Sequence, residues 1–471
     1  MAEQQQQEQQ QQKLQQQQNA PSKPPYKILW YSVPALHDNS NGAAIHSKIM
    51  IEALAARGME VKVLNALVAD DLSGLEIFNR ISALIEQKQR EQHPELEGQP
   101  LPGKNFLQFI DNHVEYFVVK TRGHLSKDVT TSDQHLIFDL FVQLLEKFQP
   151  DVVMGYSGDF MSAYARLEAQ TRGIPCVYAL HNGLHRSFSF PDSDLVFSPS
   201  EATAQMYRDE DGTDVKAVGQ FIDHDRVTVP PAERKPRYIT LINPTPEKGL
   251  AIFVKLAQVF TKRHPEQKFL VVKSVGNYQA FLAKLHYKDG SPFLRVGHKN
   301  PVSMIDVAEH TDDVRQVYAL TKVLVTPSVW HESWGCVATE AVFNNIPVLS
   351  SKSGGLSEAI REGGVLLDAP QSTQADFYCV PSTKEIMPWV EALEQMLSED
   401  WTERCAKASS YNDLDQSIER LMVYLQPILA KGQQHKHPLT TSFYYSAKAM
   451  ARRRAQYEAE QSAQAAAVAQ Q

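Results

Sequence analysis

The stretch KVLVTPSVWHESWGCVATEAVFNNIPVLSS, Lys322–Ser351, holds the pattern on which the fold turns. An apolar run, KVLVTPSV, ends in a short polar loop. A helical segment follows it, and a second apolar run, PVLSS, comes next. Strands this apolar, with helices between them, belong to a parallel sheet covered on both faces. Two acidic residues, Glu332 and Glu340, stand eight positions apart in this most apolar part of the chain. Burying one unpaired carboxylate costs several kcal/mol, so both need compensation.

The same alternation extends in both directions. After Arg237 it reads YITLI, a helix from Lys248, FLVVKSV, FLRVG, then the quoted stretch, then helices near 384–398 and 402–427. Before it, KILWYSV (Lys27–Val33) leads through a loop into AAIHSKIMIEALAARG, with Gly58 in C-cap position, and on to MEVKVLN. Strand, loop, helix and strand form a βαβ unit. VEYFVVK, a helix near 131–149, DVVMGY, a helix near 159–171, CVYAL and DLVFS continue it. The proline-rich, charged segment VTVPPAERKPR between the two series reads as a linker. The organisation expected is a disordered Gln-rich tail over 1–25, an N-terminal Rossmann-like domain over 26–226 and a linker over 227–237. A C-terminal Rossmann-like domain over 238–428 and a partly disordered helical tail over 429–471 complete it.

Composition narrows the class. With 471 residues and 42% hydrophobic content the chain can fill two cores. A formal net charge of −8 excludes a nucleic-acid footprint over the whole surface. Cys176, Cys336, Cys379 and Cys405 contain no C-x-x-C pair, which speaks against a disulfide framework or structural zinc and for a reducing compartment. No apolar run approaches the ~18 residues of a membrane span, and the N-terminus lacks the apolar core of a secretory signal. A cytoplasmic protein without a transmembrane segment is expected.

In an open α/β sheet ligands bind at the carboxyl ends of the strands, so the residues after each apolar run carry the candidate chemistry. Asn41-Gly42 either forms an ordinary βα turn or lets the backbone and helix N-terminus approach a phosphate; G-x-G-x-x-G is absent. His181, after CVYAL, either bonds its own turn or donates to a substrate hydroxyl or oxyanion. Lys248, at a helix start where a cation is mildly unfavourable, is either solvated or part of a pyrophosphate site. HESWG is not H-E-x-x-H, so zincin chemistry is excluded. A glycosidase pair would need carboxyls roughly 5–9.5 Å apart. Eight helical residues advance about 12 Å and turn the side chains about 80° apart. Glu332 and Glu340 therefore suit two parts of one elongated ligand better than the two sides of one bond.

The E-x7-E motif within PSVWHESWGCVATEA, followed by NNIPVLSSKSGGLSEAI, resembles the retaining glycosyltransferases of group 1, family 4. DDVRQVYALTKVLVTPS upstream and PEKG at 246–249 extend the resemblance, and about 26–425 is covered, more loosely in the first domain. It implies an α/β GT-B fold, two Rossmann-like domains facing a cleft. A sugar would move from a nucleotide-diphosphate donor to an unidentified glycan, lipid or small-molecule acceptor, with no metal or cofactor required. It also implies the roles. Glu332 and His181 would act at the donor sugar and Glu340 on the ribose. Gly335, Cys336 and Val337 would meet the diphosphate through their backbone amides, with Lys248 neutralising it and Gly42 and Ala43 approaching from the other domain. Asn243 lies in the donor site where many members carry an arginine, and Lys273 is a candidate substitute. Acceptor specificity is expected around 66–112 and 120–131. A sugar-nucleotide epimerase, a glycan phosphorylase or a non-catalytic nucleotide-sugar binder remain as alternatives. The basic patch Arg452–Arg454 would either touch a lipid acceptor's membrane or form a solvated helix face.

Overall fold

The computed structural model describes residues 25–70, 74–96, 105–183, 190, 193–274, 276–295, 300–311 and 313–434. The Gln-rich segment 1–24 and the chain beyond 434, with the basic patch, lie outside the described residues.

Two parallel sheets organise the chain. The first contains β1 (Lys27–Tyr31), β2 (Glu60–Ala66), β3 (Phe106–Asp111), β4 (Val114–Val119), β5 (Val152–Gly155), β6 (Cys176–Ala179), β7 (Leu195–Ser198) and β8 (Val215–Ala217). Its order is β3-β4-β2-β1-β5-β6-β7-β8, and only the β3–β4 hairpin is antiparallel. The second contains β9 (Tyr238–Ile242), β10 (Lys268–Val272), β11 (Ile305–Ala308), β12 (Thr321–Thr326), β13 (Val348–Ser351) and β14 (Gly364–Leu367), in the order β11-β10-β9-β12-β13-β14. Strand order reverses between β1 and β5 in one sheet and between β9 and β12 in the other. Loops diverge there, and the gap left beyond the strand ends is where open α/β sheets bind ligands.

Both sheets are covered by helices on both faces, as runs such as ILWY and VLVT require. Ile28, Trp30, Val63 and Met154 pack toward one face of the first sheet, and Leu29, Tyr31, Leu64 and Val153 toward the other. The alternation is the two-residue period of a strand with both faces buried.

Three expectations change. FLRVG is not a strand in its described part: Phe293 is buried as an anchor in the second core, its amide bonded to the Leu285 carbonyl at 2.9 Å. The strand paired with β10 is instead Ile305–Ala308, a sheet edge where Asp306 and Val307 stay exposed and so lack the apolar signature. The segment 227–237 is not where the chain passes between the cores. Val218 and Phe221 belong to the first core, and Ile222, Val227 and Val229 to the second, so the chain crosses between Phe221 and Ile222. The proline-rich segment is then pinned by Val229 N–H on Asn344 Oδ1 (2.7 Å) and by Lys235 N–H on the Ala319 carbonyl (2.7 Å).

The last described helix, Leu414–Gln434, returns to the first domain instead of ending the second at 428. Ile418, Leu421, Leu425 and Leu429, spaced along one helical face, are fully buried in the first core. At about 1.5–3 kcal/mol per buried side chain, that face contributes roughly 6–12 kcal/mol before entropy is subtracted. No helix among the described residues is long and apolar enough to cross a membrane.

Candidate active site

Because β9 and β12 are neighbours, the loops after them lie side by side, and both are tied together. Val329 N–H donates to the Glu247 carbonyl at 2.9 Å, and Ser328 Oγ donates to the same oxygen at 3.2 Å. Gly249, at φ +84°, sits so close to the second loop that a Cβ would fall 2.0 Å from the Pro327 carbonyl oxygen. Gly354, at φ +51°, similarly packs on the backbone of Glu332, 2.1 Å from its carbonyl oxygen to an ideal Cβ. Only glycine reaches both conformations without strain. The Gly355 amide then binds the Glu332 carbonyl at 2.7 Å.

These constraints aim Lys248 and Glu332 at each other. Lys248 Nζ donates to Glu332 Oε1 at 2.5 Å and Oε2 at 2.7 Å, and lies 5.9 Å from the centre of the Trp330 ring. The lysine is the compensation for the first buried glutamate. Glu332 precedes the helix, which runs from Cys336 to Phe343, so the spacing to Glu340 is not a helical rise throughout. Gly335 is the N-cap, and no side chain caps that helix, leaving its first amides to the cleft. Glu340 lies in the second turn. The Tyr318 hydroxyl donates to its Oε2 at 2.6 Å, and burial pushes the carboxyl's pKa up, opposed by that bond and by His46. The two glutamates are thus held on separate partners.

The first domain supplies the facing wall. Asn41 caps the Gly42–Ala56 helix, its Oδ1 accepting from the amides of Ala43 (2.9 Å) and Ala44 (3.4 Å). The Ala43 amide proposed for a phosphate is therefore already engaged. Gly42 has no atom within 4 Å of an ideal Cβ, so the fold itself does not need a glycine there. Ser47 Oγ and His181 Nε2 are 2.9 Å apart, and Tyr156 packs edge-on to the His181 ring at 5.5 Å. The His46 Nδ1–H donates to the Phe221 carbonyl at 2.8 Å, and burial lowers this histidine's pKa. At neutral pH His46 is uncharged, with Nε2 as its acceptor.

Gly42, Ala43, His181, Asn243, Lys248, Glu332, Gly335, Cys336 and Val337 line one cavity of about 450 Å³ between the domains. Glu340 is set one turn back from it. Asn243, at φ +59°, points a buried Oδ1 without a hydrogen-bond partner, and Trp330 Nε1 is likewise unpartnered. Lys273 does not replace the missing arginine, because it pairs with Glu309 at 2.6 Å, away from the cavity lining. Burial pushes the Cys336 thiol up to about 12, and the thiol accepts from Gln220 Nε2 across the domain boundary at 3.5 Å. Further contacts close the walls. Glu358 accepts from the amides of Glu201 (2.9 Å) and Ala202 (3.0 Å) at a helix N-terminus, and His331 Nε2 meets Thr203 Oγ1 at 3.0 Å.

His46, Ser47, Tyr318 and Gln220 were not among the sequence candidates. His46 was reachable, since it lies one turn after Gly42 on the same helix face. The others carry no local signal. Among the described residues no group of three His, Cys, Asp or Glu side chains is placed to hold a metal ion.

A second cavity, of about 350 Å³, opens in the first domain at the β1/β5 switch point. It meets the first at Asn41, Ala43, His181 and Asn182.

Residues 222–412 match the family model described as Glycosyl transferases group 1. Those bounds enclose the second core, which runs from Ile222 to Ala408. Two similar curated proteins are both D-inositol 3-phosphate glycosyltransferases. That of Corynebacterium diphtheriae is 28% identical over 33% of this chain and 33% of its own. That of Corynebacterium urealyticum is 30% identical over 27% of this chain and 29% of its own. The chain spans about a third of the length of these relatives. Among solved structures, Anabaena Alr3699/HepE in complex with UDP-glucose superposes with a TM-score of 0.58 at 16% identity, covering 85% of this chain and 99% of that one. The α,α-trehalose 6-phosphate synthase of Burkholderia multivorans gives 0.52 at 13% identity, over 87% and 99%. The chain therefore has the GT-B fold, and its residues 222–412 are a group 1 glycosyltransferase domain.

Proposed function

We propose that the chain is a retaining glycosyltransferase that moves a sugar from a uridine diphosphate donor to a hydroxyl of an acceptor. One observation carries the reading: a cation, an uncapped helix start and the Glu332 carboxylate line one interdomain cleft, with the Glu340 carboxylate one turn behind it on a separate partner. That array suits an elongated ligand with an anionic middle and hydroxyls at both ends. The Anabaena structure, described with UDP-glucose, favours UDP as the nucleotide.

In this reading the diphosphate lies over Gly335–Val337, where free amides and the helix dipole favour negative charge. Lys248 has three N–H donors, so it can hold Glu332 and a phosphate oxygen together. Glu332 then takes sugar hydroxyls, and Glu340 the ribose. Gly42 leaves room for the diphosphate under the first domain. His181, positioned by Ser47, faces the reacting carbon. The bond from C1 to the β-phosphate oxygen breaks, and its electron pair leaves with the diphosphate. The acceptor oxygen bonds C1 on the same face, and its proton passes to the departing phosphate oxygen. Catalysis rests on orientation and on stabilising the leaving group. The protonated Cys336 thiol offers no nucleophile at neutral pH.

Titration calorimetry with UDP, followed by UDP release from UDP-glucose with and without acceptors, tests this. Glu332→Ala is expected to lower turnover by about 1.5–3 kcal/mol, roughly 10–150-fold. Unchanged turnover in a folded variant refutes the role of Glu332. Epimerised donor, or phosphate-dependent release of sugar phosphate, refutes the transferase reading.

A further inference from the structure

Two helices start at the interdomain cleft, one from each domain, and each opens on a glycine. Gly42 begins Gly42–Ala56, and Gly335 caps Cys336–Phe343. Both glycines line the cavity of about 450 Å³. One turn further on, each helix carries a hydrogen-bonding side chain: His46 stands four residues after Gly42, and Glu340 four residues after Cys336. Glu340 serves the ribose in the reading above. His46 has no part in that reading, although it lines the same cavity and is only 5% exposed.

The fold fixes what this ring can do. Its Nδ1–H donates to the Phe221 carbonyl at 2.8 Å, at the residue where the chain leaves the first core. The Phe221 amide donates to Gln220 Oε1 at 3.2 Å, so side chains that line the cavity hold both polar groups of that residue. With Nδ1 as the donor of a neutral ring, Nε2 is an acceptor. Among the described residues nothing donates to Nε2. Burial keeps the ring neutral, outweighing the bond to Phe221 and the charge of Glu340, which acts on it across the domain boundary. Glu340 is an acceptor as well: its Oε2 takes the Tyr318 hydroxyl at 2.6 Å, and a carboxylate has further acceptor sites. Two acceptors that act on one another across the cleft repel a phosphate oxygen and call for two donors. Buried polar groups without partners are rare, so an acceptor opening on a cavity asks for its donor there.

Taking the glycosyltransferase reading above as its basis, we infer that His46 accepts a hydroxyl of the donor's ribose, so that the 2′,3′-diol is shared between Glu340 of the second domain and His46 of the first. A ribose diol carries two O–H donors on adjacent carbons, each free to turn toward its own acceptor. The arrangement repeats the one proposed for the diphosphate. The glycine ends of both helices take the anionic middle of the ligand, and one turn along both helices take its sugar. Binding the nucleotide then ties the two domains together beside the crossing at Phe221–Ile222. A deoxynucleotide leaves one of the two acceptors without a donor, in a site where little water can replace it.

Titration calorimetry of the full chain with UDP, 2′-deoxy-UDP and 3′-deoxy-UDP tests this, in wild type and in His46→Asn. Asparagine keeps a donor for the Phe221 carbonyl near the position of Nδ1 and removes the Nε2 acceptor. Wild type is expected to prefer UDP over each analogue by about threefold or more, the effect of one hydrogen bond. In His46→Asn the preference over one analogue should fall about threefold or more, while the preference over the other stays with Glu340. A purely structural role at the crossing would weaken all three nucleotides by one factor. That result, with both preferences intact, overturns the inference, as does a wild type that binds the three equally. If circular dichroism shows His46→Asn misfolded, His46→Ala is measured in its place and judged by the same result. Failure of wild type to bind UDP overturns the donor reading instead, and with it this one.

Discussion

Replacing Lys248 by methionine removes the cation from Glu332 while keeping a side chain of similar length against Trp330. The magnitude follows from where the two groups sit. Glu332 is 8% exposed, and both carboxylate oxygens are bonded to Nζ, at 2.5 and 2.7 Å. Removing one partner of a fully buried pair costs about 3–5 kcal/mol, and of an exposed pair about 0–1 kcal/mol. The Lys248 side chain is 32% exposed, so water screens part of the interaction. An intermediate loss of about 2 kcal/mol is expected, within the range of a charge-assisted hydrogen bond. In a domain of some 190 residues, 222–412, that lowers the melting temperature by roughly 4–8 °C. Four of the five tryptophans, Trp330, Trp334, Trp389 and Trp401, lie in this domain, so their fluorescence follows its melting directly. The Lys248→Met/Glu332→Gln pair should recover at least about 0.5 kcal/mol of the loss, because no uncompensated charge remains. Lys248→Met should also weaken UDP about tenfold or more, the equivalent of about 1.4 kcal/mol. A melt within 1–2 °C of wild type, roughly 0.5 kcal/mol or less, with unchanged UDP affinity, would refute the assignment of Lys248 to either role. A double variant as unstable as the sum of the singles would refute the coupling.

Gly42→Ala meets open space, so stability should hold or rise by up to about 1 kcal/mol, while UDP affinity falls severalfold; equal UDP binding in calorimetry would remove Gly42 from the site. Gly432→Ala puts a Cβ 1.7 Å from the Asp151 carbonyl oxygen, in the helix that crosses back to the first domain. It should cost about 1–3 kcal/mol in urea unfolding, and no change would contradict that packing. Acidification gives a third test. Burial lowers the pKa of His46, as it does those of His37 and His331, so the unfolded chain takes up protons first as pH drops below about 6.5. Stability is full above that pH and falls below it. Glu340, with its raised pKa, acts in the opposite sense over part of the range. The urea midpoint should therefore drop less between pH 7.5 and 5.5 in His46→Gln than in wild type; equal drops would exclude His46 as a contributor.

Local pattern along the chain encodes the strands and the loops that follow them. Runs such as ILWY, LVVK and VLVT specify strands buried on both faces. The loops after them carry Gly42, His181, Lys248 and Glu332, which the structure brings to one cavity at the carboxyl ends of both sheets. E-x7-E and PEKG were legible for the same reason, as each is a short stretch at one strand end. What lay beyond reach depends on partners far apart in the chain. Glu332 is paired by Lys248, 84 positions away, and Ser47 meets His181 across 134. Glu340 is held by Tyr318, whose only sequence signature is that of a core aromatic. The same applies at the domain boundary. Proline and charge suggested a linker at 227–237, but the crossing at Phe221–Ile222 is set by which core each side chain fills. The edge strand Ile305–Ala308 escaped because half of it faces solvent, while the FLRVG run supplied an anchor instead of a strand. Hydrophobic periodicity reports how many faces of a segment are buried. Which element buries them, and which charge meets which across the cleft, is decided only when the two sheets are assembled.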